Sequence, residues 1–496
     1  MRRCTERNAV TEAPHDTTEV RTPPLSGRTG RSGSSGRWRE RAVLAALIML
    51  ASSTAVVASL GAPLVPRIAE AEGVSLGNAQ WVLTVTFLAG AVTAPLIGRA
   101  GSGRHRRPVI LAGLAVVVLG SVLAALPLGF GAMLLGRVMQ GLGLSLTPLA
   151  IAIARDILPA GRREAAIATL SLTTVTGAGL GYPIASLIVS HFGVAAAYWC
   201  GALLSALTLL ACALTIPRHH EREDGRLDLL GAALLGGGAG TLLLVISQVH
   251  DWGVRSAVTP AMTAAAVLLL GVWAWWTLRV VGRPLVDLRL ALRPGVLGAN
   301  VTALLAGCGM YMMVTIAVLL VQAPTGTGYG LGYSVVMAGM MLVPYSIASV
   351  LGSKASPWLL RFISPDQLLP LGCLWFMLGA LSMACFRTQL WQLLLSMLIS
   401  GFGSGCSFAA MPGLIVRFVP PKETGSAMSF NMILRYLGFS TGSTLVLTIL
   451  QLFSAPSGAL TDGGFTAAAL SAAGVSGLAA VVAFWLGRAV PAVSNG

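Results

Sequence analysis

The sequence predicts an all-α integral membrane protein of about fourteen transmembrane helices, arranged as two six-helix bundles with two intervening helices. Of its 496 residues, 55% are apolar and only 10% are charged, whereas soluble domains carry about a quarter charged residues. After Arg41 the apolar runs repeat about every 30 residues, which is one membrane crossing of ~20 residues plus a short loop. Backbone amides in lipid must be hydrogen-bonded within the protein, so these runs are predicted to be helices.

The elements follow from these runs and from the polar stretches that separate them. The predicted spans are 42–62, 79–98, 108–128, 131–153, 165–189, 195–216, 227–248, 257–280, 296–321, 332–353, 367–386, 390–413, 426–452 and 465–487. Mixed charges with proline and glycine mark a linker after the sixth span, and a second polar stretch precedes the last six. We therefore predict a disordered cytosolic tail (1–40), a six-helix bundle (41–217), a cytosolic linker (218–228), two intervening helices (229–281), a second six-helix bundle (282–488) and a cytosolic tail (489–496).

The net charge of +15 is explained by membrane topology. With the N-terminus inside, the cytosolic tail and loops hold 28 of the 33 Lys and Arg residues, as the positive-inside rule requires. The basic excess therefore follows insertion and anionic lipid, and no nucleic-acid partner is expected. Arginine greatly outnumbers lysine, and alanine and glycine are abundant, which indicates a GC-rich bacterial genome. We expect a multi-pass protein of the bacterial plasma (inner) membrane with both termini in the cytosol.

No sequence pattern indicates a cofactor, a metal or a cleaved signal peptide. The first apolar run begins some 40 residues from the N-terminus and has the length of a span, unlike a signal peptide. The seven cysteines occur singly, without paired metal-ligand spacing. Glycines at 177–181 and 401–405 mimic nucleotide-binding fingerprints, but those need a preceding strand. They are predicted to be close-packing or hinge positions, and no ATP-binding loop of the GxxxxGK[ST] kind is present.

Two arginines fall in the interior of predicted spans, where a cation costs about 2.5–3.5 kcal/mol on insertion scales and must face a cavity or a partner. Arg137 has Gln140 one turn later on its helix face, and Arg435 has Asn431 one turn earlier. Either arginine is a candidate for substrate binding. The alternative for both is an interhelical hydrogen bond that only positions the helices.

The segment 137–143, RVMQGLG, resembles the RxxQGxG motif of the drug:proton antiporters of the major facilitator superfamily. Further matches to the fourteen-helix branch of that group are Gln80-Trp81, Gly98 with Arg106 and Arg107, Ala154-Arg155-Asp156 with Pro159 and Arg162, the segment 191–199, the segment 284–288, and Val419-Pro420 with Glu423, Gly425, Asn431 and Arg435. The resemblance runs from about 42 to 488, and the ordered spacing of the matches makes it more specific than any single motif.

The resemblance implies the major facilitator fold and a secondary transporter that exports small amphiphilic drugs or metabolites by alternating access. It implies a small-molecule substrate, protons as a possible second partner, a lipid bilayer and no enzymatic activity, and we expect a monomer. The predicted substrate or coupling residues are Arg137, Gln140, Asn431, Arg435, Gln322 and Tyr311. The predicted gating residues are Gly98, Arg106, Arg107, Asp156, Gly181 and Pro183.

The sequence departs from the family where proton coupling would be expected. Family members often carry an aspartate in the first helix, and the corresponding stretch here is Ser52-Ser53-Thr54. None of the eighteen acidic residues falls in the interior of a predicted span, since Asp228 is only the second residue of 227–248, and all six histidines lie in loops or the tail. Coupling through an end carboxylate (Asp156, Asp287 or Glu70), uncoupled export, and a carboxylate lying deeper than predicted remain alternatives. Neutral or anionic amphiphiles are the predicted substrates.

Two other function classes compete with export. A membrane-embedded enzyme would need a polar catalytic constellation at depth, and the predicted spans contain none. A non-transporting sensor built on a transporter fold fits the missing aspartate. Reconstituted transport separates that sensor from an exporter, and its dependence on a pH gradient separates a coupled exporter from an uncoupled facilitator.

Overall fold

A computed structural model describes most of the chain. The described residues are 35–101, 105–157, 160–217, 228–252, 256–281, 288–419, 424–455 and 460–488. Within these ranges the chain is almost entirely helical and contains no β-strand, so the prediction of an all-α protein is confirmed.

Seven helices form the first part of the molecule. They are α1 (Ser35–Ser59), α2 (Val65–Glu72), α3 (Leu76–Ala100), α4 (Arg106–Ala125), α5 (Phe130–Leu144), α6 (Leu146–Ile157) and α7 (Ala160–Thr215). A short 3-10 turn at Ala62–Leu64, which contains Pro63, joins α1 to α2. Helix α1 begins inside the stretch predicted as a tail, because its polar first turns extend the helix beyond the apolar run. Residues 1–34, the rest of that predicted tail, lie outside the described residues.

Helix α7 is two membrane crossings joined by a sharp reversal. It runs over 56 residues, and Gly193 within it has φ 80° and ψ 173°, which is not helical. A positive φ of this size strains any residue with a Cβ, so glycine allows the chain to turn back at this point. The arms 160–192 and 194–215 correspond to the fifth and sixth predicted spans.

The two intervening helices pack on each other, and one of them contacts both of the other helix groups. Helix α8 (Leu229–Trp252) packs on α9 (Val258–Trp275), which continues into a π-helical turn at Trp276–Val280. Helix α8 also contacts α3 and the later helix Thr424–Leu452, so one of the pair lies against the rest of the molecule. Only 17% of the apolar span containing α9 is buried, as expected of a helix that faces lipid on most of its surface.

Eight helices form the last part of the molecule. They are α10 (Leu288–Ala291), α11 (Pro294–Gln322), α12 (Val335–Met340), α13 (Leu342–Leu359), α14 (Pro365–Cys385), α15 (Leu390–Phe418), α16 (Thr424–Leu452) and α17 (Asp462–Arg488). Among the described residues, 13 helical segments are long and apolar enough to cross a membrane. One of these contains the reversal at Gly193. Counting its two arms separately gives the predicted fourteen crossings.

The two parts of the molecule meet along two seams. Helix α3 packs against α16, and the first arm of α7 packs against α12 and α13. The remaining contacts of α1 to α7 are mostly with one another, as are those of α11 to α17. This packing resembles the predicted pair of bundles, but the domain boundaries stay predictions. The linker residues 218–227 and the segment 282–287 lie outside the described residues.

Glycine allows the closest helix contacts within the last six spans. A Cβ on Gly405 of α15 would collide with the carbonyl of Ser349 in α13. A Cβ on Gly442 of α16 would collide with the carbonyl of Cys308 in α11. Small residues let helix backbones approach in this way in membranes, and the close-packing interpretation of Gly405 is therefore confirmed.

Candidate functional site

A cavity of about 210 Å³ lies between the two parts of the molecule. It is lined by α1, α3, α5 and α7 from the first part and by α11, α13, α15 and α16 from the second. Its wall therefore comes from both sides of the seams, and a relative movement of the two parts would change its shape. Pockets for small molecules in membrane transporters commonly lie at such a junction.

Aromatic rings form much of the cavity wall. Phe87 of α3 lies edge-on to Tyr311 of α11, with ring centroids 4.5 Å apart. Phe439 of α16 contacts both rings, at 5.3 Å from Phe87 and 4.7 Å from Tyr311. Tyr436 lies one turn earlier on α16, at 5.9 Å from Phe439. Edge-to-face pairs of this kind stabilise one another and leave ring surface for an apolar ligand.

Arg435 is the one charged side chain among the described residues that line the cavity. Its guanidinium carbon lies 5.0 Å from the ring centroid of Phe408 and 5.9 Å from that of Tyr436. Its Nε is buried and has no hydrogen-bond partner among the described residues. A guanidinium over aromatic faces retains its charge and is oriented by the rings. The cavity thus combines an aromatic wall with one fixed positive charge and an unused N–H donor.

Hydroxyl groups supply the remaining polarity of the cavity. The hydroxyls of Tyr182 and Tyr311 are 3.4 Å apart and join α7 to α11 across the cavity. The hydroxyls of Tyr345 and Ser404 face each other, and neither has a well-formed hydrogen bond. Buried hydroxyls without a well-formed hydrogen bond cost free energy, so these two groups are incompletely satisfied in this structure.

Arg137 is fully buried outside the cavity wall, in α5. Its Nε donates to the carbonyl of Val82 at 3.2 Å, and its Nη1 donates to the carbonyl of Val57 at 3.2 Å. The same Nη1 donates to Oε1 of Gln140 at 2.7 Å, and Gln140 in turn donates to the Ser121 hydroxyl at 3.0 Å. These contacts tie α5 to α1, α3 and α4.

The position of Val57 explains why a cation is useful there. Val57 lies in the last turn of α1, where the negative end of the helix dipole favours a cation, and its carbonyl also accepts from the N–H of Leu60 at 3.2 Å. Gly61 leaves room for the guanidinium, because a Cβ there would lie 2.9 Å from Nη2. Arg137 and Gln140 therefore contact protein groups, and the geometry favours a role in holding helices over a role in binding.

The other predicted binding residues also divide into one that lines the cavity and two that are hydrogen-bonded to protein groups. Tyr311 lines the cavity. Asn431 donates to the carbonyl of Ala299 at 3.0 Å and to Oδ1 of Asn300 at 3.3 Å, which joins α16 to α11. Gln322 donates to the carbonyl of Pro63 at 3.1 Å, so it joins the end of α11 to the turn between α1 and α2.

We call the end of the molecule that carries α2 the α2 face. Several polar contacts between the two parts lie on the side of the cavity nearer to the α2 face. The hydroxyls of Thr84 and Thr444 are 3.2 Å apart, and Ser440 donates to the carbonyl of Thr84 at 3.0 Å. With Gln322, these contacts close the α2 face over the cavity.

The predicted gating residues lie at several depths. Arg107 donates to the carbonyl of Ala213 at 2.6 Å, near the end of α7. A Cβ on Gly181 would collide with the hydroxyl of Ser59, so this glycine lets α7 approach α1. Pro183 lies inside α7 and removes one backbone hydrogen bond there. The gating residues Gly98 at the end of α3 and Arg106 at the start of α4 flank the loop between these helices. The side chain of Asp156 lies outside the described residues.

Sequence reasoning missed most of the aromatic wall. Four of the chain's seven tyrosines line the cavity: Tyr182, Tyr311, Tyr345 and Tyr436. Tyrosines in membrane proteins are enriched at the interfaces, so their place in the middle of predicted spans was an available signal. The phenylalanines gave none, because a phenylalanine in a span fits lipid contact equally well.

The fold, the paired helix groups and the central cavity define a membrane transporter. The family model of the Major Facilitator Superfamily matches residues 42–443 and 302–496, and the chain belongs to that superfamily. Its members are transporters rather than enzymes, so the chain is a secondary transporter with a small-molecule substrate, embedded in the membrane by many spans. The resemblance seen in its motifs is confirmed.

Similar proteins include exporters. The Cephamycin export protein CmcT of Amycolatopsis lactamdurans is 27% identical over 454 residues, which cover 87% of this chain and 88% of CmcT. Multidrug resistance protein 3 of Bacillus subtilis (strain 168) is 24% identical over 387 residues, covering 76% and 73% of the two chains.

Solved structures share the fold at low sequence identity. The POT family transporter PepTSo superposes with a TM-score of 0.66 and 16% identity, covering 91% of this chain and 98% of its own. The human organic anion transporter MFSD10 (TETRAN) gives a TM-score of 0.60 and 18% identity, covering 90% and 99% of the two chains.

Proposed function

We propose that this transporter exports amphiphilic organic molecules that are neutral or anionic, and that Arg435 recognises the anionic group. The observation that carries the proposal is the single positive charge of Arg435 within an aromatic cavity. An anion bound there gains a charge-assisted hydrogen bond to the free Nε. Its apolar part packs on Phe87, Tyr311 and Phe439.

Export proceeds by alternating access in this proposal. The contacts at Gln322, Thr84 and Thr444 close the α2 face, and they break when the two helix groups rock around the cavity. Arg137 holds α1, α3, α4 and α5 as one unit during that movement.

The protein acts as a monomer in the bacterial plasma membrane, with both termini in the cytosol and the α2 face outside. The basic residues of the cytosolic loops support that orientation. The similarity to an exporter and to a multidrug resistance protein supports outward transport.

A matched pair of probes tests the substrate class. We would compare 2-naphthalenesulfonate with 2-naphthyltrimethylammonium, which share a ring system and differ in the sign of a permanent charge. Proteoliposomes containing the wild-type protein should transport the sulfonate at least ten times faster. Preference for the ammonium compound would contradict the proposal.

Arg435→Gln tests the assigned residue. A hydrogen bond to a charged group contributes about 1.5–3 kcal/mol, so the apparent affinity for the sulfonate should fall at least tenfold. Arg417→Gln is the matched control, because Arg417 lies outside the cavity in an ion pair with Asp366 at 3.3 Å. Equal affinity in wild type and Arg435→Gln would contradict the assignment.

A further inference from the structure

The charge that faces the substrate is one that proton loss cannot remove. Arginine stays protonated at every pH that a cell experiences, and Arg435 is the one charged residue among the described residues of the cavity wall. The tyrosine and serine hydroxyls of the wall keep their protons near neutral pH. A bound anion is therefore matched by a positive charge that belongs to the protein and remains there after release.

Carboxylates and imidazoles, the groups that usually carry protons, are absent from the described residues that line the cavity. Of the eighteen acidic residues only Asp228 falls inside a predicted span, as its second residue, and all six histidines lie outside the spans. Asp228 accepts hydrogen bonds from Gly231 and Trp276 and does not line the cavity.

Glu70, one candidate for coupling, lies on the surface of α2 with 66% of its side chain exposed, in an ion pair with Arg67 at 2.9 Å. The other two candidates are Asp156 and Asp287. The side chain of Asp156 and the whole of Asp287 lie outside the described residues.

We infer that the protein is an electrogenic anion uniporter, whose outward transport is driven by the membrane potential rather than by proton exchange. This inference rests on the proposed recognition of an anion by Arg435. Each cycle carries the anion's charge outward and returns no proton. Bacterial cells are negative inside, so the potential itself drives an anion out.

The energetic consequence is simple. Moving one charge through the membrane potential is worth about 2.3 kcal/mol for each 100 mV, which corresponds to roughly a 50-fold concentration ratio for a monoanion. Such a ratio is large enough for an exporter. Transport of a permanent anion should then be independent of pH, because the substrate keeps its charge and arginine is not deprotonated in proteins.

Two ionophores separate the driving forces in proteoliposomes loaded with 2-naphthalenesulfonate. With valinomycin and a tenfold potassium gradient (high inside) at equal pH, the vesicle interior becomes negative. A monoanion that moves alone should be expelled until its outside-to-inside concentration ratio reaches about tenfold. At that ratio the sulfonate gradient and the potassium gradient balance the same potential. With nigericin and a tenfold proton gradient but no potential, the sulfonate ratio should stay near one.

Each other outcome has a separate meaning. A sulfonate gradient that follows the proton gradient and not the potassium potential would overturn the inference and leave export of anions intact. Sulfonate distribution identical to that of protein-free vesicles under both ionophores would overturn the proposed function as well. Arg435→Gln should slow the approach to the tenfold ratio, and Arg417→Gln should not.

Discussion

Arg137 and Arg435 both lie within membrane-spanning helices of this protein, and their surroundings differ. Arg137 donates hydrogen bonds to Val57, Val82 and Gln140 and is completely buried. Arg435 is half-buried, lies between aromatic rings and keeps an unpaired Nε at the cavity. Both arginines keep one nitrogen without a partner among the described residues, Nη2 of Arg137 and Nε of Arg435. Arg137 is otherwise bonded to protein oxygens, whereas Arg435 lines the cavity.

This difference shows two ways in which a group of membrane-spanning helices can accommodate an arginine. A buried charge is tolerated when hydrogen bonds replace its hydration, and removing one side of such a network leaves the other side unpaired. Arg137 satisfies a carbonyl in the last turn of α1, so it belongs to the structure of the first helix group. Arg435 has incomplete partners, so a bound anion would complete its surroundings.

The largest expected effect comes from replacing each arginine by methionine in a separate variant and comparing the two variants. Arg137→Met removes the hydrogen bonds to the carbonyls of Val57 and Val82 and leaves Oε1 of Gln140 without a donor. A hydrogen bond to a charged group contributes about 1.5–3 kcal/mol. We expect the melting temperature in detergent to fall by about 5 °C or more and transport of every substrate to be lost. Arg435→Met should melt within about 2 °C of wild type and lose only anion transport. Equal melting temperatures of the two variants would remove the distinction between them.

An intermediate effect is expected from adding a carboxylate to the cavity. Met310 lines the cavity and is partly exposed to it, so Met310→Glu would place a negative charge near Arg435. The added charge should reduce sulfonate transport at least tenfold at neutral pH. Protonation of the new carboxyl removes its charge, so transport by this variant should recover as the pH falls, whereas the wild type stays flat. Met310→Gln is the uncharged control, and a wild type with the same pH profile as Met310→Glu would contradict the account.

The smallest effect is expected at the hydroxyl pair that joins the two helix groups. Tyr182→Phe removes the contact with the Tyr311 hydroxyl but keeps the ring. Because a neutral hydrogen bond contributes about 1 kcal/mol, we expect a change in transport rate of less than about fivefold. The melting temperature should stay near that of wild type. A loss as large as that of Arg435→Gln would mean that the tyrosine pair, and not the arginine, dominates recognition.

The spans could be predicted from the sequence because lipid imposes one requirement on every residue of a span. The apolar runs therefore located the helices, including the two arms of α7, whose reversal at Gly193 lies in the predicted loop between the fifth and sixth spans. The start of α1 was misplaced, since its polar first turns carry no hydropathy signal.

The distinction between the two arginines could not be predicted from the sequence. The partners of Arg137 include backbone carbonyls of α1 and α3, which have no residue-specific signature and are brought together only by tertiary packing. Gln140 was recognisable because it lies one turn away on the same helix. The rings around Arg435 come partly from α15, and no local pattern links Phe408 to an arginine on α16.

A structure of the protein bound to 2-naphthalenesulfonate tests the central claim most directly. The account predicts a sulfonate oxygen within about 2.7–3.0 Å of the Arg435 guanidinium, with the naphthalene ring against Phe87 and Phe439. A sulfonate bound at Arg137, or one turned away from Arg435 within the cavity, would contradict it.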